Sequence, residues 1–301
     1  MIEYPKITIV TPSYNQAQFI EATLQSVISQ NYPNLEYIVI DGGSNDGSVE
    51  IIQRYAPHLT YWISEPDAGQ TDALIKGFAK SSGVILNWLN SDDLLLPNSL
   101  LAVAQVYEET QADIIVGEDL HFRGDRLDLP VFHFRPANYH YPECYQFWKS
   151  EFRYHQPCTF FSKKIYDQSG GLNRTLHYVM DYDLYCRMLA QQDIKLTYLS
   201  QPLSAFRLHD SAKTARFKSK FLQEQLQIFD QNLPILHFTK KERLDLNKYI
   251  ARCNLHNAID SCRKYDWETG LQSLLNGFKA DPSYFCYYAL TRILRIRSSS
   301  T

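Results

Sequence analysis

Two hydrophobic periods alternate along the first 120 residues, and this alternation constrains the fold more than any other feature of the 301-residue chain. Short apolar, β-branched runs predict buried strands, and apolar residues spaced three and four apart predict amphipathic helices between them. The predicted strands cover 7–11, 35–40, 59–63, 84–89 and 113–116. The first predicted helix follows Asn15, which can cap it. The next two helices cover 48–55 and 70–79, and a fourth begins at Pro97. Strands alternating with helices form right-handed crossovers, so we expect a parallel sheet with helices on both faces.

The regular pattern weakens after about residue 120. Residues 130–157 are rich in His, Tyr, Pro and Phe without a sustained period, and they predict a loop-rich segment over the sheet. Strands are predicted again at 159–161 and 194–199, with a helix over 181–190 between them. Amphipathic helices follow from about Arg216. The sequence therefore predicts an α/β domain over 1–215 and a helical C-terminal extension over 216–301.

Four successive predicted strands end in polar or acidic clusters. The clusters are TPSYN at 11–15, DGGSNDG at 41–47, EPDAGQTD at 65–72 and NSDD at 90–93. Pro, Gly, Asn, Asp and Ser are also the residues of turns and helix caps, so turn chemistry alone explains any one cluster. In a parallel sheet, however, ligands bind beyond the carboxyl ends of the strands, where all four clusters meet. We therefore expect one crevice that contains several carboxylates.

The cluster at 90–93 predicts a metal site. It follows the apolar run 84–89, which places Asp92 and Asp93 at the mouth of the crevice. Magnesium and manganese ions commonly take one or two carboxylates together with substrate phosphates. Such an ion would neutralise charge on a departing diphosphate. Capping of the helix that Pro97 opens is an alternative role for Asp93. The chain has no glycine-rich phosphate loop, which argues against P-loop nucleoside triphosphatases and dinucleotide dehydrogenases.

Together with MDYDLYCR at 180–187, these motifs resemble those of the family 2 glycosyltransferases in order and spacing. The resemblance covers about residues 5–210. It implies the GT-A fold, an α/β, Rossmann-like architecture with a mostly parallel central sheet and helices on both faces, here followed by the helical extension. It also implies an enzyme that transfers a sugar from a nucleotide-diphosphate donor to a hydroxyl of a glycan or glycolipid acceptor. A UDP-sugar is the default donor in this family, and dTDP- or GDP-sugars fit the same motifs.

The resemblance also implies roles for individual residues. The positions that hold the nucleotide base and ribose correspond to Thr11, Pro12, Tyr14 and Asp41, and those lining the base and diphosphate side of the donor correspond to Asp67, Asp72 and Lys76. Asn90, Ser91 and Asp92 occupy the family's D-x-D position, with Asn90 in place of the first acid. Asp92 is the expected ligand of Mn²⁺ or Mg²⁺, and His209 matches a late histidine near the metal.

Asp181 falls where the family has its catalytic base, although Met180 replaces the first member of the usual acidic pair. A base is required because an acceptor hydroxyl is a poor nucleophile until its proton is removed. Direct attack opposite the diphosphate would invert the anomeric configuration. The alternative role for Asp181 is that of a helix N-cap, and Asp183 with Arg187 is expected to form an i,i+4 ion pair.

Composition limits the partners and the compartment. The net charge of −3 gives no reason to expect a nucleic acid partner. The six cysteines form no zinc spacing and predict free thiols in the cytoplasm. The N-terminal segment lacks the pattern of a secretory signal, and no apolar run reaches the roughly 18 residues of a membrane span. Arg292, Arg295 and Arg297 lie among Leu and Ile, so the last helix predicts either a solvated basic end or contact with an anionic membrane surface.

Two other functions remain open at this point. Asn90 and Met180 would suit a catalytically silent protein that binds nucleotide sugars, but the chain retains Asp92 and Asp181. A sugar nucleotidyltransferase would share the fold. That class begins with a glycine-rich, arginine-containing loop after the first strand, and the residues at 11–15 do not resemble it.

Overall fold

The computed structural model describes residues 4–137, 140–149, 155–234, 236, 238–263 and 266–289. They form two compact units, the first drawn from 1–145 and 151–210 and the second from 146–150 and 211–301. The strands of the first unit are β1 (Ile7–Ser13), β2 (Leu35–Asp41), β3 (Tyr61–Ser64), β4 (Ile85–Trp88), β5 (Leu94–Leu95), β6 (Ile114–Arg123), β7 (Phe132–Phe134), β8 (Thr159–Ser162) and β9 (Leu196–Leu208). Its helices are α1 (Ile20–Ile28), α2 (Ser48–Tyr55), α3 (Gln70–Lys80), α4 (Ser99–Thr110), α5 (Lys163–Gln168) and α6 (Met180–Leu189).

The strands form one mixed sheet in the order β3-β2-β1-β4-β8-β6-β9-β5, and β7 pairs with β6. Strand β1 is parallel to β2 and β4, and β2 is parallel to β3, so these four strands end side by side. Strand β8 is antiparallel to both β4 and β6, whereas β6 and β9 are parallel to each other. The predicted α/β fold with a mostly parallel sheet is confirmed.

The apolar strands lie between layers of helices. Ile7, Ile9 and Val39 are fully buried, as expected for parallel strands that are covered on both faces. Helix α3 approaches β1 closely at Gly77, where an added Cβ would lie 2.4 Å from Cγ1 of Val10. This contact fixes α3, and the polar residues at its start, against the strand that ends in the first polar cluster.

Asn15 does not cap α1, so this prediction was wrong. Helix α1 is preceded by Phe19 and has no side-chain cap. Asn15 instead adopts a positive φ of 52°. Its side-chain oxygen accepts a hydrogen bond from the backbone N–H of Asn45 at 3.0 Å, and its own N–H donates to Oγ of Ser44 at 2.8 Å. The residue therefore joins the loops after β1 and β2.

The second unit is helical in its described part. It contains α7 (Lys213–Arg216), α8 (Lys218–Asn232), α9 (Lys240–Arg263), α10 (Trp267–Ala280) and helical residues at 282–289. Ala251 and Leu255 of α9 form a small apolar cluster with Phe285. Of the helices described, none is both long and apolar enough to cross a bilayer. Arg292, Arg295 and Arg297 lie outside the described residues.

Candidate active site

The loop after β2 is built around the carboxylate of Asp41, which is fully buried. One oxygen accepts hydrogen bonds from the N–H groups of Gly43 and Ser44 and from the hydroxyl of Ser64, at 2.7–3.1 Å. The other accepts from the Ser44 hydroxyl at 2.6 Å. A carboxylate has about four acceptor positions, and four hydrogen bonds are present here. Asp41 therefore fixes the shape of the loop over 42–47.

The residues after β1 lie beside this loop. Thr11 is buried and its hydroxyl is hydrogen-bonded to the Tyr37 hydroxyl at 3.1 Å. Pro12 is also buried, whereas Tyr14 exposes 61% of its surface. The N–H of Gly42 donates to the carbonyl of Ser13 at 2.8 Å. The two strand ends are therefore held together, and the Tyr14 ring is accessible to a ligand.

Asp67, Asp72 and Lys76 come together at the start of α3. The pKa of Asp67 is raised because the carboxyl is partly buried and lies near Asp72 and Asp41. The ammonium of Lys76 lies 2.9 Å from Glu65 and 3.5 Å from Asp72, and its pKa is raised mainly by the hydrogen bond to Glu65. Charges of both signs are therefore closely spaced at this end of the sheet.

Arg174, which the sequence did not single out, completes this group of charges. Its guanidinium lies 3.2 Å from the Asp72 carboxylate, although most of the side chain is exposed. Nearby, the Thr71 hydroxyl donates to the carbonyl of Leu176 at 2.5 Å. The segment that leads into α6 is thereby attached to the first turn of α3. No sequence motif marks Arg174, because the contact depends on the path of the chain between α5 and α6.

Asn90 follows β4, the last of the four parallel strands in the sheet order. Its side-chain oxygen accepts from the amide of Gln70 at 2.7 Å. Its own amide donates to Asp93 at 3.3 Å and to Gln156 at 3.4 Å. Asn90 thus connects the start of α3, the loop after β4 and the segment before β8. Ser91, the next residue, is buried.

Asp92 and His209 lie next to each other, with 2.9 Å between Oδ2 of Asp92 and Nε2 of His209. The His209 ring also contacts the ring of Phe19, at 4.7 Å between centroids. Arg207 supports the pair because its Nε–H donates to the Asp92 carbonyl at 3.0 Å. An acidic oxygen and an imidazole nitrogen at this separation can bind the same cation.

Asp93 has a different environment from Asp92. It is buried, and its carboxylate accepts the backbone N–H of Arg207 at 3.0 Å. Burial and the neighbouring charge of Asp92 raise its pKa well above the ordinary value. The alternative role of Asp93 as a helix cap is wrong, since Asn98 precedes α4 and that helix has no side-chain cap.

Asp181 lies in the first turn of α6, after Val179 as the N-cap, so it is not the cap itself. One carboxylate oxygen accepts the N–H of Tyr182 at 2.8 Å. Tyr185, one turn farther on, stacks on Trp88 at the end of β4 with 6.2 Å between ring centroids. Residues i and i+4 share a helix face, so Asp181 lies on the face that packs toward the end of β4. The predicted pair of Asp183 and Arg187 is confirmed at 2.6 Å.

A second cluster of polar side chains was missed by the sequence reasoning. Asp119 and His121 on β6 lie against His155, which precedes β8, and one ligand atom from each lies within 4.8 Å of the others. Burial and the proximity of His155 lower the pKa of His121 to about 4. The alternation of Asp119 and His121 on one strand was the available signal, but only the folded chain brings His155 to them.

The sequence model of "Glycosyl transferase family 2" matches residues 8–170, which contain all four strand-end clusters. An uncharacterized glycosyltransferase of Mycobacterium tuberculosis strain H37Rv is 38% identical over 128 residues. The aligned part is 42% of this chain and 48% of that protein, so the chain matches about half the length of this relative.

Solved structures share the fold at low sequence identity. Residues 1–349 of Staphylococcus aureus TarS in complex with UDP-GlcNAc superpose with a TM-score of 0.58 and 14% identity, covering 89% of this chain and 90% of TarS 1–349. The mannosyltransferase PcManGT of Pyrobaculum calidifontis, in complex with GDP-Man and Mn²⁺, gives a TM-score of 0.57 and 18% identity. That alignment covers 98% of this chain and 81% of PcManGT. Both are GT-A glycosyltransferases, and the likeness concerns the fold.

Proposed function

The chain belongs to glycosyl transferase family 2, and on that premise we propose that it is an inverting glycosyltransferase. It transfers a sugar from a nucleotide-diphosphate donor to a hydroxyl group of a glycan or glycolipid. The observation that carries the proposal is the adjacent placement of Asp92 and His209 beside four parallel strand ends. Ligands of α/β sheets bind at such an edge.

In this proposal the donor lies along the row of strand ends. Thr11, Pro12, Tyr14 and Asp41 hold the base and ribose, with Asp41 acting through the loop that its hydrogen bonds fix. Asp67, Asp72 and Lys76 line the base and diphosphate side, and Asn90 and Ser91 border the sugar. Support comes from the exposed Tyr14 ring and from the mixed charges at the start of α3.

Asp92 and His209 fit a divalent cation that holds the diphosphate. Their ligand atoms are 2.9 Å apart, and both side chains are only partly buried. Mg²⁺ and Mn²⁺ typically take few protein ligands when substrate phosphates supply the rest, and an acid with an imidazole suits Mn²⁺. When bound, the ion would offset negative charge on the leaving diphosphate.

Asp181 is the proposed general base. It removes the proton from the acceptor hydroxyl while that oxygen forms a bond to the anomeric carbon and the bond from that carbon to the diphosphate breaks. This role is supported by the position of Asp181 in the first turn of α6. Tyr185 packs this helix against Trp88, and the hydrogen bond from Thr71 attaches the preceding segment to α3. A carboxylate is expected to perform this step at neutral pH when it is held near the hydroxyl.

A UDP-sugar is the proposed donor, since UDP-GlcNAc is bound in TarS 1–349. A GDP-sugar is the alternative, because PcManGT binds GDP-Man. The acceptor is proposed to be a glycan or glycolipid that is assembled at the cytoplasmic face of the membrane.

We also propose that α10 contacts this membrane. Its exposed large apolar side chains recur three or four residues apart on one face; they are Trp267, Leu271, Leu274, Leu275 and Phe278. Such a face inserts into the boundary between headgroups and acyl chains, and basic residues attract anionic lipid. Three arginines follow it in the sequence, at 292, 295 and 297.

Sedimentation with vesicles containing phosphatidylglycerol should capture the wild type but not a Leu271→Ser, Phe278→Ser variant. Equal capture of both would exclude this face.

Calorimetric titration of UDP, dTDP and GDP into the full chain, each with Mn²⁺ and with EDTA, tests the donor site. Binding of one nucleotide with a dissociation constant of roughly micromolar size, lost with EDTA, would support the proposal and identify the donor class. Absence of binding by all three nucleotides would contradict it. Binding without turnover would favour a silent nucleotide-sugar-binding protein.

A further inference from the structure

Three side chains outside the proposed donor site converge on a point inside the first unit. Asp119 and His121 come from β6, and His155 comes from the segment before β8. Oδ2 of Asp119 lies 2.9 Å from Nδ1 of His155 and 3.4 Å from Nε2 of His121. The two imidazole rings are 4.6 Å apart between centroids.

The converging atoms are buried, and their hydrogen-bonding capacity is not satisfied. Asp119 is completely buried, and its other oxygen accepts a hydrogen bond from Ser204. Among the described residues, Oδ2 of Asp119, Nε2 of His121 and Nδ1 of His155 have no aligned hydrogen-bond partner despite their short separations. Buried polar atoms are usually hydrogen-bonded, and a bound ion is one of the established explanations for those that are not. Here three such atoms face the same point.

The spacing of these atoms suits a metal ion. For bonds of about 2.1 Å, a tetrahedral ion holds neighbouring ligand atoms about 3.4 Å apart, and an octahedral ion about 3.0 Å apart. The measured separations of 2.9 and 3.4 Å lie close to these values. Two imidazoles and one carboxylate form a ligand set found in zinc sites, whereas Mg²⁺ and Ca²⁺ prefer oxygen ligands.

Neighbouring side chains hold the three ligands in place. The Ser204 hydroxyl holds Asp119, and the ring of Phe206 lies 5.2 Å from His121 and 5.3 Å from His155 between centroids. Hydrogen bonds that orient ligating carboxylates, and apolar walls around them, are general features of protein metal sites.

We propose that Asp119, His121 and His155 bind a divalent transition-metal ion of the zinc class. The ion is structural and separate from the cation proposed at Asp92 and His209. It fastens the residues before β8 to β6. Gln156 follows His155 in the sequence, and its side chain donates to the carbonyl of Trp88 and accepts from Asn90. By holding His155, the ion also positions the Gln156 side chain beside residues 90–92.

Metal analysis of the full chain tests the proposal directly. The protein is purified without a histidine tag, stripped with chelator, and reconstituted with Zn²⁺ or Co²⁺. We expect one Zn²⁺ per chain after gel filtration, and Co²⁺ bands in the visible spectrum that Zn²⁺ abolishes. His121→Gln and His155→Gln should each weaken Zn²⁺ binding at least tenfold, whereas His58→Gln, on the exposed surface, should not change it. Asp92→Ala should also leave this stoichiometry unchanged, which separates the site from the donor cation.

The wild-type measurements remain decisive even if a ligand variant fails to fold, which circular dichroism would reveal. Wild-type protein that retains neither Zn²⁺ nor Co²⁺ would overturn the proposal. Folded His121→Gln and His155→Gln variants that bind Zn²⁺ as tightly as the wild type would overturn it as well.

Discussion

Oδ2 of Asp92 lies 2.9 Å from Nε2 of His209, although the two residues are 117 positions apart in the sequence. Asp92 follows β4 and His209 follows β9. Arg207 strengthens the junction by donating to the Asp92 carbonyl and by placing its guanidinium 5.1 Å from the centroid of the Phe19 ring. Residues at the end of β9 therefore hold the loop after β4.

Removal of either member of this pair should weaken the cation-dependent part of donor binding. Asp92→Ala and His209→Ala are each expected to lower nucleotide affinity roughly tenfold or more with Mn²⁺, since losing even a hydrogen-bond partner of a metal ligand commonly costs this much. With EDTA the affinity should change little. Calorimetric titration measures both conditions, and His58→Ala provides a surface control. Equal losses with Mn²⁺ and with EDTA would contradict the assignment of the two residues as metal ligands.

Gly77→Ala should destabilise the first unit. Alanine in a helix is ordinarily favoured over glycine by about 1 kcal/mol. At this position, however, the new methyl would lie 2.4 Å from Val10, and overpacking a core typically costs about 1–3 kcal/mol. We expect the steric cost to exceed the helix preference. Urea unfolding gives the free energy, and Ala79→Gly at an exposed position of the same helix measures the preference alone. A Gly77→Ala protein more stable than the wild type would show that α3 can move away from β1.

The four polar clusters could be predicted from the sequence because each one follows a strand with a clear hydrophobic pattern. The parallel pairing of β1, β2, β3 and β4 then brings these clusters to one edge without further information. The predicted helix over 48–55 has the same bounds as α2, because the apolar residues in this segment have a regular helical spacing.

The remaining parts of the site depend on contacts between distant segments. Arg174 contacts Asp72, and Gln156 contacts Asn90, although the residues of each pair are far apart in the sequence. Only the folded chain brings them together. The role of Asn15 was predicted wrongly because its side-chain amide can either cap a helix or form a hydrogen bond to a neighbouring loop. The position of the loop after β2, whose Asn45 N–H donates to Asn15, determines which of the two forms. The roles of the donor-site residues stay predictions that the experiments must decide.

Glu36→Gln should lower the stability in a pH-dependent manner. The buried Glu36 carboxylate accepts hydrogen bonds from Thr8 at 2.6 Å and from the Ser82 backbone at 2.7 Å. Burial alone would raise its pKa, but the hydrogen bonds from Ser82 and Thr8 outweigh burial and hold the pKa below 4.5. Hydrogen bonds to a charged group are worth about 1.5–3 kcal/mol, so we expect a loss of about that size at pH 7.

The sign of the pH dependence follows from the lowered pKa. Stability from ionised Glu36 is present above pH 4.5, the ordinary value, and is lost as the pH falls through the lower folded-state pKa. The difference between wild type and Glu36→Gln should therefore shrink in acid. Urea unfolding between pH 7 and pH 3 measures it, with Glu108→Gln on the exposed surface of α4 as a control. A difference that is constant over this range would exclude the ionised hydrogen-bonded form as its source.

The most direct test of the proposed glycosyl transfer is single-turnover release of nucleoside diphosphate by the wild type and by Asp181→Asn, using the donor class that calorimetry identifies. We expect Asp181→Asn to bind the donor about as tightly as the wild type but to turn it over about 10²–10⁴-fold more slowly, because the acceptor hydroxyl keeps its proton. Asp183→Asn, two residues farther along α6, should lose stability with its Arg187 pair but keep its rate per folded molecule. Turnover of Asp181→Asn at the wild-type rate would contradict the assignment of Asp181 as the catalytic base.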